Sequence, residues 1–311
     1  MKKLISVLLI LALLLPCAFA SADFNEDEMR EVLRKLDMNS YTATYDALLE
    51  GEVLEQGAKG DCAKALQRVL KDFGEDISTD GKAGAGTFKL LNKVQKRYGM
   101  EQTDYVDADV FAELLCALLV YKQGEDAEEA VLDAGISESE YLYFLARKQA
   151  SDGHHYLAKQ SYEESGWADW ADRADSCKKD WPKDGRVWKS KTYGGSGSIL
   201  KIKVKNSDSD IARCFKVYNS DDKLVAVLFI GGNGSAETGL KPGRYTIKQG
   251  TGYDWYGRKD AFGEDGWYET WSYDYGETDI KFSSGRGWMF TIGGDGDGDS
   301  FGSYSEDWDN F

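Results

Sequence analysis

The chain has 311 residues, 42% of them hydrophobic and 13% aromatic, with 54 acidic and 38 basic side chains. This length predicts about two domains, and three prolines with a substantial aromatic content exclude a disordered chain. The net charge of −16 argues against nucleic acid as a partner, because phosphate binding needs clustered lysine and arginine. The two histidines, His154 and His155, are adjacent. They leave few ways to build a catalytic triad or a multi-histidine metal site, so we expect neither a metal nor another cofactor.

Residues 1–20 have the pattern of a Sec signal peptide. Lys2 and Lys3 precede a nearly unbroken aliphatic run over residues 4–15, and residues 18–20 have the small-x-small pattern of a cleavage site. A run of about a dozen residues is too short to span a bilayer comfortably, although a permanent anchor is the alternative. We therefore expect cleavage after Ala20, a secreted protein in the extracellular space or on the cell wall, and no stable membrane span in the mature chain.

The cysteines allow several interpretations. Cys17 suggests a lipoprotein, but Pro16 stands where a lipobox needs a small residue. Cleavage after Ala20 leaves four cysteines: Cys62, Cys116, Cys177 and Cys214. Their spacings match no zinc pattern of the CxxC kind. An exported protein can oxidise such cysteines to disulfides, and buried free thiols are the alternative.

Residues 21–44 are predicted to contribute an N-terminal helix that carries no chemistry. Asn25 can cap a helix over residues 25–37, with Glu28 placed as in a capping box. The apolar stripe of this helix consists of Val32, Leu33 and Leu36.

Residues 45–121 are predicted to form a bundle of three short helices. Apolar residues recur at helical spacing in three segments: Leu66, Val69, Leu70 and Phe73; Phe88, Leu91, Val94 and Tyr98; Val110, Phe111, Leu114, Leu115 and Leu118. A glycine-rich break over residues 80–86 separates the first two segments. Gly99 is placed to end the second helix, and Asp107 can cap the third. The core of such a bundle is barely large enough for independent stability.

The motifs of this bundle resemble those of the peptidoglycan-binding-like domain family. Residues 57–67, GAKGDCAKALQ, are similar to the family's opening G-x-x-G-x-x-V-x-x-L-Q. Residues 80–87, DGKAGAGT, follow its D-G-x-F-G-x-x-T turn, and residues 94–99 follow its F-Q-x-x-x-G step. Residues 103–107 match the weaker closing half. The resemblance covers about a quarter of the chain.

This resemblance implies a three-helix fold and attachment to the bacterial cell wall. It makes Asp80, Gly81, Thr87 and Gln95 the candidate ligand-binding residues of the bundle. The alternative is a structural role, because side chains of these types commonly serve turns and helix caps. Gln67 and Gln95 would then tie the helices together.

Two positions depart from the family's pattern. Ala83 stands where the family usually has Phe, and Ala63 where it has Val. Each change shrinks the core, at a cost of about 1 kcal/mol or more where nothing compensates. A disulfide between Cys62 and Cys116, which would join the first helix to the third, is the compensation we expect.

Residues 122–186 are predicted to be helical again, with residues 137–140 as a capping box. Residues 153–174 resemble a single degenerate tetratricopeptide-type hairpin of exported bacterial proteins. One such unit cannot bury its own face, so we interpret the segment as a helical spacer. His154 and His155 are expected at its surface, without a metal.

From residue 187 onward, alternation of apolar and polar residues predicts β-strands. Strands are expected over residues 199–205, 212–218, 223–230, 244–248, 280–282 and 288–292. Short strands with glycine-rich turns predict an antiparallel β-sandwich over residues 187–293. Residues 239–247, GLKPGRYTI, resemble the corner of prealbumin-like sandwich domains. Residues 252–263 resemble an uncharacterised exported module, which implies no activity.

Aromatic side chains crowd residues 253–275 of the predicted sandwich. Exposed rings stack on sugars or anchor a protein partner, which makes Trp255, Tyr256 and Trp267 the candidate binding residues. The alternative is that these rings fill the sandwich core, because large aromatic side chains are usually buried.

Residues 294–311 are predicted to be an acidic Gly/Asp tail. Residues 295–306 resemble a calcium loop, but Ser300 stands where the loop requires glycine. We therefore expect a solvated tail without a metal.

These patterns predict a multidomain α plus β protein: a small helical bundle, a helical spacer and a C-terminal antiparallel β-sandwich. The expected function is that of a secreted, non-catalytic protein that binds peptidoglycan or another cell-wall glycan through the bundle. One alternative is a peptidoglycan hydrolase or its targeting subunit, since so acidic a chain has enough carboxylates to form the acidic pair that sugar hydrolysis needs. The other is an adhesion or scaffold protein that binds carbohydrate, or another surface protein, through the aromatic-rich sandwich. We assign no catalytic residue.

Overall fold

The computed structural model describes residues 24–272, 277–293, 302–306, 308 and 311. Contacts between Cα atoms divide the chain into two compact units. The first unit holds the described residues up to Lys148 together with Ser161–Ala171, and the second holds Gln149–Gln160 and Asp172–Phe311. The predicted signal peptide and residues 294–301 of the predicted acidic tail lie outside the described residues. Residues 302–306 form a strand paired within a sheet, and Phe311 is buried, which corrects the expectation of a solvated tail over residues 294–311.

The first unit is built from helices and one short ribbon. Its elements are α1 (Glu26–Leu36), α2 (Asn39–Leu49), β1 (Leu54–Glu55), α3 (Asp61–Asp72), α4 (Ala85–Tyr98), β2 (Tyr105–Val106), α5 (Ala108–Gln123), a 3₁₀ turn (Gly124–Ala127), α6 (Glu128–Asp133) and most of α7 (Glu138–Asp152). α7 and α8 (His155–Ser165) each pass from one unit into the other. No helix in the part of the chain described here is long and apolar enough to cross a membrane.

The predicted helix ends are confirmed where polar caps define them. The Asn25 side chain accepts hydrogen bonds from the backbone N–H groups of Asp27 and Glu28 at the start of α1. Asp107 accepts from the Val110 N–H at the start of α5. Gly99 ends α4 in the left-handed conformation, at φ 73°, which a glycine adopts at little cost.

The bundle of the first unit includes more than the three predicted helices. α1 packs against α5 and α6, and α2 packs against α3 and α5. The predicted boundary at residues 44/45 falls inside α2, and the one at 121/122 falls inside α5. β1 and β2 pair antiparallel, with Leu54 opposite Val106. Helices before and after the predicted bundle therefore share its core.

The second unit contains α9 (Trp170–Cys177) and the strands of the C-terminal half. The strands are β3 (Val187–Lys189), β4 (Ser198–Val204), β5 (Ala212–Asn219), β6 (Leu224–Gly231), β7 (Gly234–Leu240), β8 (Gly243–Gly252), β9 (Trp267–Ser272), β10 (Asp279–Phe282), β11 (Gly287–Ile292) and β12 (Gly302–Glu306). All six strands expected from alternation are present, each within a few residues of its predicted ends.

These strands form two sheets. The larger has the order β12-β9-β8-β5-β6-β3, with β10 paired to the first half of β8. The smaller has the order β11-β4-β7. Its β4–β7 pair is antiparallel and its β11–β4 pair is parallel. The predicted class, a helical region followed by a β-sandwich, is confirmed, and the sandwich is antiparallel except at the β11–β4 pair.

The sandwich core lies between the two sheets. The smaller sheet contributes Leu200, Ile202, Val204, Ala236, Leu240 and Phe290, and the larger contributes Phe215, Val217, Leu228, Ile247, Trp271 and Ile280. A second apolar cluster covers the opposite face of the larger sheet, where Cys214 and Phe229 pack under Trp255 and Phe262. Because both faces are covered there, β6 is a continuous apolar run.

Candidate functional site

The predicted glycine-rich turn, residues 80–86, pairs with the segment that precedes α3. The Gly57 N–H donates to the Ala83 carbonyl at 2.7 Å, and the Ala83 N–H donates to the Ala58 carbonyl at 2.9 Å. The Gly60 N–H donates to the Gly81 carbonyl at 3.0 Å. Two loops thereby form a short antiparallel ladder on the surface of the first unit.

Gln67 of α3 holds this turn from inside. Its Nε2 donates to Asp80 Oδ1 at 2.9 Å and to the Lys82 carbonyl at 3.1 Å, while its Oε1 accepts from the Gly81 N–H at 2.8 Å. The Gln67 hydrogen bond, followed by one from the Lys82 N–H, lowers the pKa of Asp80. Asp80 and Gly81, predicted as ligand-binding residues, thus form the frame of the turn.

Gln95 repeats this arrangement on α4. Its Nε2 donates to Thr103 Oγ1 at 3.0 Å, and its Oε1 accepts from the Thr103 N–H at 3.2 Å. Gln95 is 1% exposed and Thr87, in the first turn of α4, is 5% exposed. Thr87 and Gln95, both predicted as ligand-binding residues, are therefore buried. The hydrogen bonds of Gln95 agree with the alternative, a structural role.

The outer surface of the ladder is open and carries two cations. A Cβ atom added at any of four glycines would meet no other atom within 4 Å: Gly57, Gly60, Gly84 and Gly86. Lys59 and Lys82 are antiparallel partners in the ladder, and both are exposed. Side chains directly opposite one another lie about 5 Å apart at Cβ, where like charges destabilise the pair. We call Lys59 and Lys82 the lysine pair.

The expected Cys62–Cys116 disulfide is not formed. Among the described residues all four cysteines are free thiols. Cys116 is buried in α5, with its Sγ 3.7 Å from Met29 Sδ of α1, and burial raises the pKa of its thiol. Cys62 is partly exposed at the start of α3. Cys116 therefore packs against α1, a helix predicted to lie outside the bundle, instead of bonding to Cys62.

An acidic pair of the kind left open for sugar hydrolysis lies in the first unit. Burial, together with the charge of Glu140, raises the pKa of Glu113 to about 8. Glu140 itself is 8% exposed, and its Oε2 accepts from the Ser137 N–H at 3.0 Å and from Ser137 Oγ at 2.6 Å. This is the predicted capping box of α7. Because the Glu140 carboxylate serves the helix end, the contacts favour a structural use of this pair.

The three aromatic candidates of the sandwich separate by burial. Trp255 and Tyr256 are each 3% exposed, whereas Trp267 is 58% exposed. The Trp255 ring packs edge-on against Phe229, with centroids 5.0 Å apart. Because Trp255 and Tyr256 are buried, neither ring has a face open to a ligand. Of the three predicted binding residues, only Trp267 is exposed. Its ring lies 6.0 Å from that of Tyr253, which is 52% exposed.

A buried polar cluster in the second unit was not predicted. Asp260 is 4% exposed; its Oδ1 lies 3.0 Å from His154 Nδ1, and its Oδ2 accepts from the Tyr156 N–H at 2.7 Å. Burial lowers the pKa of the neighbouring His155. Both histidines are partly buried, and 39% of the His154 side chain stays exposed. No local pattern in the sequence connects residues about a hundred positions apart.

Within the described segments, no group of three or more His, Cys, Asp or Glu side chains is arranged to hold a metal ion. The chain matches no protein-family model, and no curated protein matches its sequence. Among the described residues, the lysine pair and the Tyr253–Trp267 rings are the exposed groups best suited to bind a ligand.

Proposed function

We propose that this is a secreted, non-catalytic, cell-wall-associated protein that binds peptidoglycan through its N-terminal helical bundle, at the lysine pair. Peptidoglycan is a glycan whose short peptides carry free carboxylates and backbone amides. A carboxylate placed between the Lys59 and Lys82 ammonium groups would make charge-assisted hydrogen bonds with both. The uncovered glycine backbone beside them would let a peptide approach closely.

The lysine pair carries this proposal because it is unfavourable on its own. Two like charges directly opposite each other cost stability, and among the described residues the acidic group that interacts with this pair is Asp80, two positions before Lys82. A bound carboxylate would remove that repulsion. The motif resemblance of residues 57–67 and 80–87 to peptidoglycan-binding-like domains supports the same ligand class independently of the charges.

The overall charge restricts how such binding works. With a net charge of −16, the protein is repelled by anionic wall polymers, and this repulsion is screened beyond a Debye length of about 8 Å at physiological salt. Attachment therefore depends on short-range contacts at the lysine pair, and we expect modest affinity that a second contact elsewhere on the chain would raise.

Cosedimentation of the full chain with purified sacculi tests the proposal. We expect the Lys59→Glu/Lys82→Glu double variant to bind about tenfold more weakly than wild type, which corresponds to a loss of about 1.4 kcal/mol. The matched control is Lys71→Glu/Lys89→Glu, which changes the net charge equally at two exposed helical lysines.

Equal losses in both double variants would show an effect of net charge, and no loss in either would remove the lysine pair as the site. Release of soluble muropeptides by the wild-type protein would support a hydrolase instead.

A further inference from the structure

The exposed rings of Tyr253 and Trp267 lie at one end of the larger sheet. Tyr253 follows β8 and Trp267 begins β9, and their ring planes meet at 70°. The Tyr253 carbonyl accepts a hydrogen bond from Trp181 Nε1 at 2.8 Å, and the neighbouring Asp254 forms an ion pair with Lys178. The backbone beneath the rings is thus fixed by contacts within the second unit.

Polar side chains continue the same face of the sheet. Trp267 is opposite Thr251 on β8, and Thr251 is opposite Arg213 on β5. Residues directly opposite one another share a face of the sheet. The Arg213 Nη1 donates to Ser207 Oγ at 2.7 Å, and its buried Nε has no hydrogen-bond partner among the described residues. Thr251 Oγ1 accepts from Gln249 Nε2 at 3.1 Å. The row therefore holds a hydroxyl and a half-buried guanidinium on the same face of the sheet as Trp267.

Glu269 lies two residues beyond Trp267 on β9, hence on the same face, opposite Gln249. Further along this face the residues become apolar, with Phe215 and Trp271 in the inter-sheet core. The exposed rings and the half-buried polar row thus lie at the end of the face that forms the sandwich core.

We propose that this end of the sheet binds a pyranose ring of a neutral glycan, with Tyr253 and Trp267 as the stacking surface and Thr251, Arg213 and Glu269 as hydroxyl partners. Sugars present apolar C–H faces edged by hydroxyls, and aromatic rings bordered by polar groups complement both. Rings at 70° form a corner, in which one ring stacks on a sugar face while the other contacts its side.

Charge and polarity select this ligand over others. Glu264 and Asp265, three and two residues before Trp267, are exposed, and with Glu269 they disfavour a polyanion. A contiguous exposed apolar patch of a few hundred Å² marks a protein interface, whereas charged residues border these two rings. The inference does not rest on the proposed function of the bundle, because a neutral oligosaccharide offers the lysine pair no carboxylate.

Affinity electrophoresis and calorimetry with neutral tetrasaccharides test this site on the full chain. The probes are β-1,4-linked glucose, N-acetylglucosamine, mannose and xylose oligomers, with oligogalacturonate as the anionic comparison. We expect at least one neutral probe to bind at millimolar or lower concentration. Trp267→Ala and Tyr253→Ala should each weaken binding about tenfold or more, and Trp267→Phe should weaken it less.

The matched control is Tyr193→Ala. Tyr193 is 41% exposed and borders a cavity of about 210 Å³ that Lys241 and Tyr245 also line. The Tyr193→Ala variant should bind the tetrasaccharides like wild type, as should the Lys59→Glu/Lys82→Glu variant. Equal denaturation midpoints would establish that the ring variants fold.

Failure of every neutral probe to bind, preference for oligogalacturonate, unchanged binding by Trp267→Ala, or loss with Tyr193→Ala would overturn the assignment. A protein that binds a tetrasaccharide but not sacculi would contradict only the function proposed for the bundle, and the glycan site would stand.

Discussion

The Gln67 side chain supplies the acceptor for the backbone N–H of Gly81. The Gly81 N–H donates to Gln67 Oε1 at 2.8 Å, and the two residues are fourteen positions apart. This bond is buried, and a buried N–H without a partner costs more than the bond itself contributes. The turn that presents the lysine pair therefore depends on one side chain of the helix beneath it.

Gln67→Leu should consequently destabilise the first unit by about 1–3 kcal/mol, because the Gly81 N–H loses its acceptor. Urea denaturation followed by circular dichroism measures this change. Gln102→Leu, at an exposed loop position, is the control and should shift stability by less than about 0.5 kcal/mol. Equal effects of the two substitutions would contradict the role of Gln67.

Two glycines of the same turn should respond to alanine in opposite directions. Gly81 has φ 72°, and a Cβ there would lie 3.1 Å from the Gly60 carbonyl oxygen, so Gly81→Ala should cost about 1–2 kcal/mol. Gly86 lies in the first turn of α4 with open space around it, so Gly86→Ala should stabilise the unit by about 0.5–1 kcal/mol. Thermal unfolding of both variants checks the signs, and the same sign for both would refute the conformational argument.

Glu113 should make the stability of the first unit depend on pH. Burial, and then the charge of Glu140, raises its pKa from 4.5 to about 8, so the folded state binds a proton that the unfolded state releases. This contribution is fully present below pH 4.5 and is lost as the pH rises through 8. Glu113→Gln should therefore match wild type at pH 4 and exceed its stability at pH 9, on the order of 1–3 kcal/mol.

Denaturation midpoints at pH 4, 6 and 9 measure this difference. Glu138→Gln, an exposed carboxyl near the start of α7, provides the comparison and should leave the pH profile unchanged. Parallel profiles for wild type and Glu113→Gln would show that Glu113 ionises without cost.

Asp260 should stabilise the second unit through its two hydrogen bonds. Asp260→Ala leaves the Tyr156 N–H without its acceptor, and we expect a loss of about 1–3 kcal/mol. Asp260→Asn keeps a carbonyl oxygen for that N–H and should lose less. Hydrogen exchange at Tyr156 reports the bond directly, with the exposed Asp265→Ala as the control. Unchanged protection of Tyr156 in Asp260→Ala would disprove the contact's importance.

Local sequence patterns were sufficient to predict those elements that depend only on neighbouring residues. The caps at Asn25 and Asp107 and the six alternating strands were predictable because each depends on neighbours a few residues away. β9, with the sequence WYETWS, was missed. Four of its six residues are buried, so its two faces do not alternate in polarity, and its aromatic residues suggested a binding loop instead.

The candidate sites were predicted only in part, because which residues are exposed depends on contacts between distant segments of the chain. Trp267 and Trp255 are the same residue type twelve positions apart, yet Trp267 is exposed and Trp255 is buried edge-on against Phe262. The lysine pair arises because one loop places Lys59 opposite Lys82, which neither segment indicates alone.

Sequence by itself determined the helical first part, the strand-rich second part and the residues of the glycine-rich turn, because turn conformation and amphipathic periodicity are local properties of the chain. Tertiary structure alone decided which aromatic rings face solvent, that Cys116 meets Met29 rather than Cys62, and that Asp260 accepts the Tyr156 N–H. Each of these depends on segments far apart in sequence that come together only when the apolar core excludes water.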